Sequence, residues 1–85
     1  MDNQIPRTFS ISSASRMTGV TMNRIRDWHD KGFLHDVQML SVGSRLHRRF
    51  TQMDLQLIMR IKDFQEKGYV LSVAAALARE NYQLN

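Results

Sequence analysis

Apolar positions recur along the chain in two rhythms. Ile11, Ala14 and Met17 fall at i, i+3 and i+6, on one face of a short helix. Ser10, Ser12 or Ser13 can cap it, a serine oxygen accepting an otherwise orphaned amide hydrogen. Gly19 stops it, because a residue without Cβ takes the left-handed backbone of a tight turn at no steric cost. A second helix follows at once. Thr21 is a good N-cap, Met22, Ile25, Trp28 and His29 share a face, and Gly32 ends the element. Two short helices joined by Thr18-Gly19-Val20 make a helix-turn-helix unit. Asn23, Asp27 and Asp30 lie opposite the apolar stripe, flanked by Arg24 and Arg26. The spacing allows ion pairs Arg26–Asp30 at i, i+4 and Arg24–Asp27 at i, i+3.

The rhythm changes beyond Phe33-Leu34, an apolar pair expected to fold back onto the core. Val37, Met39 and Ser41 alternate on one run, Gly43-Ser44 marks a turn, and Leu46, Arg48 and Phe50 alternate on the return. This predicts a β-hairpin over 37–50, with a turn whose length Ser41-Val42-Gly43-Ser44 leaves open. Thr51 and Asp54 read as the cap and box partner of a third helix. Its face runs Leu55, Ile58, Met59, Lys62, widened by Leu57, Ile61 and Phe64, and Gly68 ends it, with Tyr69 and Leu71 packing back. Ser72 caps a last, alanine-rich helix from Val73 to about Tyr82. Residues 1–8 are polar, hold the only proline and show no period, so they read as an arm. Residues 83–85 read as a tail, leaving one domain over 9–82. The expected fold is mainly α with a small β-hairpin wing, in the order helix, helix, hairpin, helix, helix. That is a winged helix-turn-helix layout. The second helix, about 21–31, would enter a DNA major groove, and the wing, about 37–50, would lie on the backbone or minor groove.

Charge sharpens this picture. The chain has 85 residues and a formal net charge of +4. Residues 1–50 carry eight Lys/Arg against four Asp/Glu, whereas residues 51–85 carry four of each, so all the excess lies in the first half. Most of the bases are arginine, whose planar fork suits bidentate phosphate and guanine contacts. There is no cysteine, which excludes disulfides and thiolate metal sites, and three scattered histidines make no zinc cluster. No cofactor is expected. No apolar run approaches a membrane span, and the chain is expected to be soluble and cytoplasmic, with no membrane partner.

The residues also resemble a known family, the MerR-type winged-helix DNA-binding domain, from Phe9 to about Leu77. The resemblance rests on Phe9-Ser-Ile11 with the Thr18-Gly19-Val20 turn, and on Ile25-Arg26-Asp27-Trp28 closing at Gly32-Phe33-Leu34. It continues through His47-Arg48-Arg49-Phe50 into Thr51-Gln-Met-Asp54-Leu55, and ends at Gly68-Tyr69-Val70-Leu71. Each piece is weak alone; four in this order and spacing are specific. The resemblance implies sequence-specific duplex DNA binding in transcription control, with contacts from Thr21–Asp27 and Arg45–Arg49. Arg26 and Arg48 match family arginines that touch or position the DNA backbone. Asp27 departs from a tyrosine common in the family. A carboxylate there repels phosphate, and it would hold Arg24 in place or accept from a cytosine amino group. Family regulators usually continue into a dimerising coiled coil and a sensing domain, so this chain is expected to be an excised domain or a minimal, excisionase-like relative.

The candidate DNA-binding residues are therefore Thr21, Asn23, Arg24 and Arg26 on the second helix, and Arg45, His47, Arg48 and Arg49 on the wing. Three arginines and a histidine within five residues exceed what protection of a sheet edge needs. His47 reads equally as a phosphate contact or a solvated residue, and His29 as structural. Trp28, on the apolar face with Met22 and Ile25, is assigned to the core rather than to base stacking. Met17, Met22, Met53 and Met59 are assigned to core filling. Catalysis is not expected, because no nucleophile, oxyanion site or cleft accompanies Asp27 and Asp30. One such module has a small contact area, so dimeric, tandem or cooperative binding is expected. Two alternatives stay open. One is an architectural, excisionase-like role in recombination. The other is a protein-interaction module whose neutral second half docks polymerase or another regulator.

Overall fold

In the computed structural model, residues 7–83 are described; most of the arm and the end of the tail lie outside them. The elements run β1 (Thr8–Phe9), α1 (Ile11–Thr18), α2 (Met22–Asp30), β2 (Gln38–Val42), β3 (Arg45–Thr51), α3 (Gln52–Glu66) and α4 (Leu71–Gln83). The expected layout of two helices, a hairpin and two helices is present, and the fold is a winged helix-turn-helix.

Local side-chain chemistry sets most boundaries. Ser10 is the cap of α1, its side chain accepting from the Ser13 amide. Thr21 does the same for α2, accepting from the Arg24 amide. The turn between them is tightly built. The buried Thr18 hydroxyl donates to the Ala14 carbonyl at 2.7 Å and accepts from the Val20 amide at 3.3 Å. Gly19 is left-handed at φ 78, and a Cβ there would meet Lys62 Nζ at 3.0 Å. That ammonium donates to the Thr18 carbonyl at 3.3 Å, a cation placed at the negative end of α1. Val20, fully buried, then enters the core.

The core gathers Ala14, Val20, Ile25, Trp28, Leu34, Phe50, Leu55, Leu57, Ile58 and Ile61 with the small residues Ala74, Ala75 and Ala78 of α4. Trp28 is only 2% exposed, as its place on the α2 face predicts. The alanines let α4 lie close along α3.

Four expectations need correction. Thr8, assigned to the arm, is paired: β1 joins β3 antiparallel with Thr8 opposite Thr51 and Phe9 opposite Phe50, giving a three-stranded sheet in the order β1-β3-β2. The methionines are not core filling. Met17, Met22, Met53 and Met59 are all exposed, because α1 buries Ala14 and Thr18, α2 buries Ile25 and Trp28, and α3 buries Leu55, Leu57, Ile58 and Ile61, each stripe passing beside the methionine. The last helix begins at Leu71, one residue before Ser72, so Ser72 is not its cap. The hairpin alternation buries only Phe50 and, at its end, Thr51; every residue of β2 is exposed. Its loop is the two-residue Gly43-Ser44, with Gly43 at φ 60, a conformation suited to the twist of paired strands.

Thr51 is where the wing becomes a helix. It ends β3 and caps α3, accepting from the Asp54 amide while its own amide donates to Asp54 Oδ2 at 3.0 Å, a complete capping box. Its hydroxyl donates to Asp36 Oδ2 at 2.7 Å, and the Asp36 amide donates to Asp54 Oδ1 at 3.2 Å. The loop after α2, the root of the wing and the start of α3 are thus tied at one point. Among the described residues no helix is long and apolar enough to cross a membrane.

Asp54 is 1% exposed. Burial pushes its carboxyl above the ordinary 3.8, against the amide bonds from Thr51 and Asp36 that favour the carboxylate. The folded state therefore holds this proton more tightly than the unfolded chain. The associated stabilisation is complete below 3.8 and is lost as pH rises through the elevated folded value. Denaturant unfolding of wild type and Asp54→Asn at about pH 7 and about pH 4 should show the wild type gaining relative to the variant at the lower pH. A gap independent of pH would contradict the dominance of burial. Asp54→Ala, which orphans two amides, is expected to cost about 1–3 kcal/mol.

Candidate nucleic-acid interface

The exposed side of α2 begins at its cap. Thr21, Met22, Asn23 and Arg24 are exposed, and Arg26 is half-buried. Arg24 is held rather than loose. Its Nη2 donates to Gln65 Oε1 at 2.6 Å, and its guanidinium lies 5.1 Å from the Trp28 ring centroid. Arg26 Nη1 donates to Asn23 Oδ1 at 3.3 Å, so the two polar side chains on this turn orient each other.

The expected intrahelical ion pairs do not form. Asp27 instead takes Lys31 at 2.9 Å, and Asp30 takes Arg48 of the wing at 2.8 Å. Asp27 therefore does not hold Arg24. Both acids on α2 are neutralised by cations lying towards its C-terminal end. Among the described residues, no carboxylate lies within ion-pair distance of Arg24, Arg26, Arg45 or Arg49.

The basic cluster of β3 divides by strand alternation. Arg48 shares a face with Phe50, which the core holds, and so turns towards α2. Its Nη1 reaches three acceptors there: the Arg26 carbonyl at 3.3 Å, His29 Nδ1 at 2.9 Å and Asp30 Oδ1 at 2.8 Å. A guanidinium only donates, so in this contact the His29 Nδ1 is the acceptor. Arg45, His47 and Arg49 occupy the opposite face. Arg49 is tied to β1, with Nε donating to Thr8 Oγ1 at 3.2 Å and Nη2 to the Thr8 carbonyl at 3.1 Å. Arg45 and His47 are exposed and make no side-chain hydrogen bond among the described residues.

The eight residues singled out from the sequence thus fall into two groups. Thr21, Asn23, Arg24, Arg26, Arg45 and His47 line the exposed side of α2 and the outer wing. Arg48 and Arg49 are anchored inward, joining the wing to α2 and to β1. Sequence reasoning missed four partners of these arginines: Thr8, His29, Asp30 and Gln65. Nothing local signals them, since they are 18 to 41 residues away along the chain. Among the described residues no group of three or more His, Asp or Glu is placed to hold a metal ion.

A helix-turn-helix with a cationic two-stranded wing fastened to its second helix defines a winged-helix module of the kind that presents a helix and a hairpin together. The family model for MerR HTH family regulatory proteins matches residues 9–81, and the chain belongs to that family. Among solved structures, the chain is similar to HiNmlR, described as a MerR family regulator lacking the sensor domain, bound to promoter DNA. The TM-score is 0.73 at 23% identity, covering 93% of this chain and 58% of that one. The chain thus spans little more than half of that relative's length. No curated protein matches it.

Arg48 is 24% exposed and Asp30 64%, so solvent screens their attraction. Arg48→Ala is accordingly expected to cost only about 1 kcal/mol in global stability. Its larger effect should be local. Hydrogen exchange of the β2 and β3 amides should quicken while α3 and α4 are unchanged. Uniform exchange across both regions would contradict a fastening role.

Proposed function

We propose that this chain is a sequence-specific duplex DNA-binding module of a transcriptional regulator, with α2 in the major groove and the wing on the adjoining backbone or minor groove. The observation that carries this is the charge arrangement. The acids of α2 are each paired, while Arg24, Arg26 and Arg45 have no carboxylate partner among the described residues. The family assignment supports the reading, as does the likeness of fold to a regulator bound to promoter DNA.

The geometry supports a division of roles. Asn23 and Arg26, orienting each other, face base edges or flanking phosphates. Arg24, steadied by Trp28 and Gln65, offers its remaining donors at the same end. Thr21 opens α2, where amide groups and the helix dipole favour a phosphate. Arg45 and His47 meet the backbone from the wing, and Arg48 and Arg49 hold that wing in position. A single module of this kind buries roughly 600–1,000 Å² on DNA, too little for tight specific binding alone. Binding by two copies, as a dimer or cooperatively on adjacent sites, is therefore part of the proposal.

Fluorescence anisotropy with random-sequence duplex at two salt concentrations tests it. Affinity should fall steeply with salt, and Arg45→Ala should reduce the slope of log K against log salt by about one. A duplex affinity that is absent at low salt, or indifferent to salt, would overturn the assignment. On a selected site, Asn23→Ala should cost about 1–3 kcal/mol at one base position only.

A further inference from the structure

The wing carries a feature that phosphate binding does not require. Met39, Leu40, Val42 and Leu46 are all about half exposed or more, and Leu46, at 68%, is the most exposed large apolar residue described. They belong to a hairpin of two strands and a two-residue turn. Pairing continues without interruption from Gln38 opposite Arg49 to Val42 opposite Arg45, so the strand ladder runs to the tip. Strand alternation puts Val42 and Arg45 on one face of the tip and Leu46 on the other. The end of the wing is thus a narrow blade with an apolar side chain on each face and an arginine beside them.

The charge of the wing selects what covers this surface. Residues 37–51 contain three arginines and no acidic residue. A second wing docked against the first would bring together the Arg45 and Arg49 of both copies, four arginines with no carboxylate partner among the described residues, which is repulsive. A polyanion with apolar surface within reach fits both properties. Duplex DNA offers this in the minor groove, where phosphates line the rims and sugar walls and base faces lie inside. That groove is only about 6 Å wide, whereas paired strands lie about 4.8 Å apart before side chains are added. A hairpin tip can seat there only if the groove opens, and apolar side chains wedged at a base step open it.

We propose that the wing tip lodges in the minor groove next to the recognition site, with Leu46 and Val42 pressed against an unstacked base step and Arg45 on the adjoining phosphates. This rests on the DNA-binding reading above. The favoured step is a pyrimidine–purine one, which unstacks most readily. The wing then contributes sequence preference through deformability, without hydrogen bonds to bases.

The test uses the whole chain and a selected duplex carrying 2-aminopurine, whose fluorescence rises on unstacking, at successive positions across and beside the site. Wild-type protein should raise the fluorescence at one flanking step. Val42→Thr/Leu46→Thr, which places the strand-favouring threonine at both positions, should abolish the rise, weaken binding tenfold or less and leave the salt slope unchanged. Bound wild-type protein with no rise at any position would overturn the wedge and leave DNA binding standing. Failure to bind any duplex would overturn both. If the double variant instead retains the unstacking and loses self-association in sedimentation, the tip serves a second copy and the proposal falls.

Discussion

The joining of wing to α2 depends on one interaction, the guanidinium of Arg48 on the C-terminal turn of α2. A helix and a hairpin can act on one duplex only if the angle between them is set before binding. Phe50 packs the root of the wing into the core, but the rest of the hairpin buries little of its own surface. Arg48 sets that angle by hydrogen bonding, with one nitrogen spanning the Arg26 carbonyl, His29 Nδ1 and Asp30 Oδ1. Arg49 acts in the other direction, fixing the same strand to Thr8 of β1. Thr51 completes the arrangement at the wing root, where its hydroxyl and amide join Asp36, Asp54 and the start of α3. Three successive residue types on one strand thus do three things: Arg48 and Arg49 clamp sideways, Phe50 enters the core, and Thr51 starts the supporting helix.

This changes the meaning of the charge. A sum over the first 50 residues suggests a uniformly cationic surface with two unexplained aspartates on α2. The structure sorts those charges. Asp27 and Asp30 lie in the middle and last turn of α2 and are each matched, by Lys31 and by Arg48. On the outward side Arg24, Arg26 and Arg45 have no carboxylate partner among the described residues. Each acid of α2 is thus matched by a cation, and Asp30 is part of the anchor that holds the wing. The neutral second half, α3 and α4, supplies the platform, together with two long-range contacts: Lys62 on the end of α1 and Gln65 on Arg24.

What was legible in the sequence was local chemistry. The caps at Thr21 and Thr51, the box at Asp54, the left-handed Gly19 and the placement of Trp28 each follow from a few adjacent residues, and each stands. The arrangement of four helices around a hairpin followed from them. What was not legible depended on distant partners. A two-residue strand such as Thr8–Phe9 has no period to detect. Whether an arginine faces solvent or a neighbouring helix depends on acceptors far along the chain, so Arg48 looked the same as Arg45. The methionines misled because their spacing matches an apolar face, while the buried stripe of each helix is set by which neighbour it meets. Met17 and Met59 fall just beside those stripes.

The central claim is that α2 and the wing form a single DNA-facing surface held by Arg48, with α3 and α4 behind it. Amide and arginine side-chain NMR shifts followed during titration with a selected duplex test this most directly. Changes at Thr21–Arg26 and at Arg45–His47 are expected to develop together, at one stoichiometry, while α4 and the exposed Tyr69–Val73 region stay silent. Changes centred on α4, or wing and helix responding at separate stoichiometries, would contradict it.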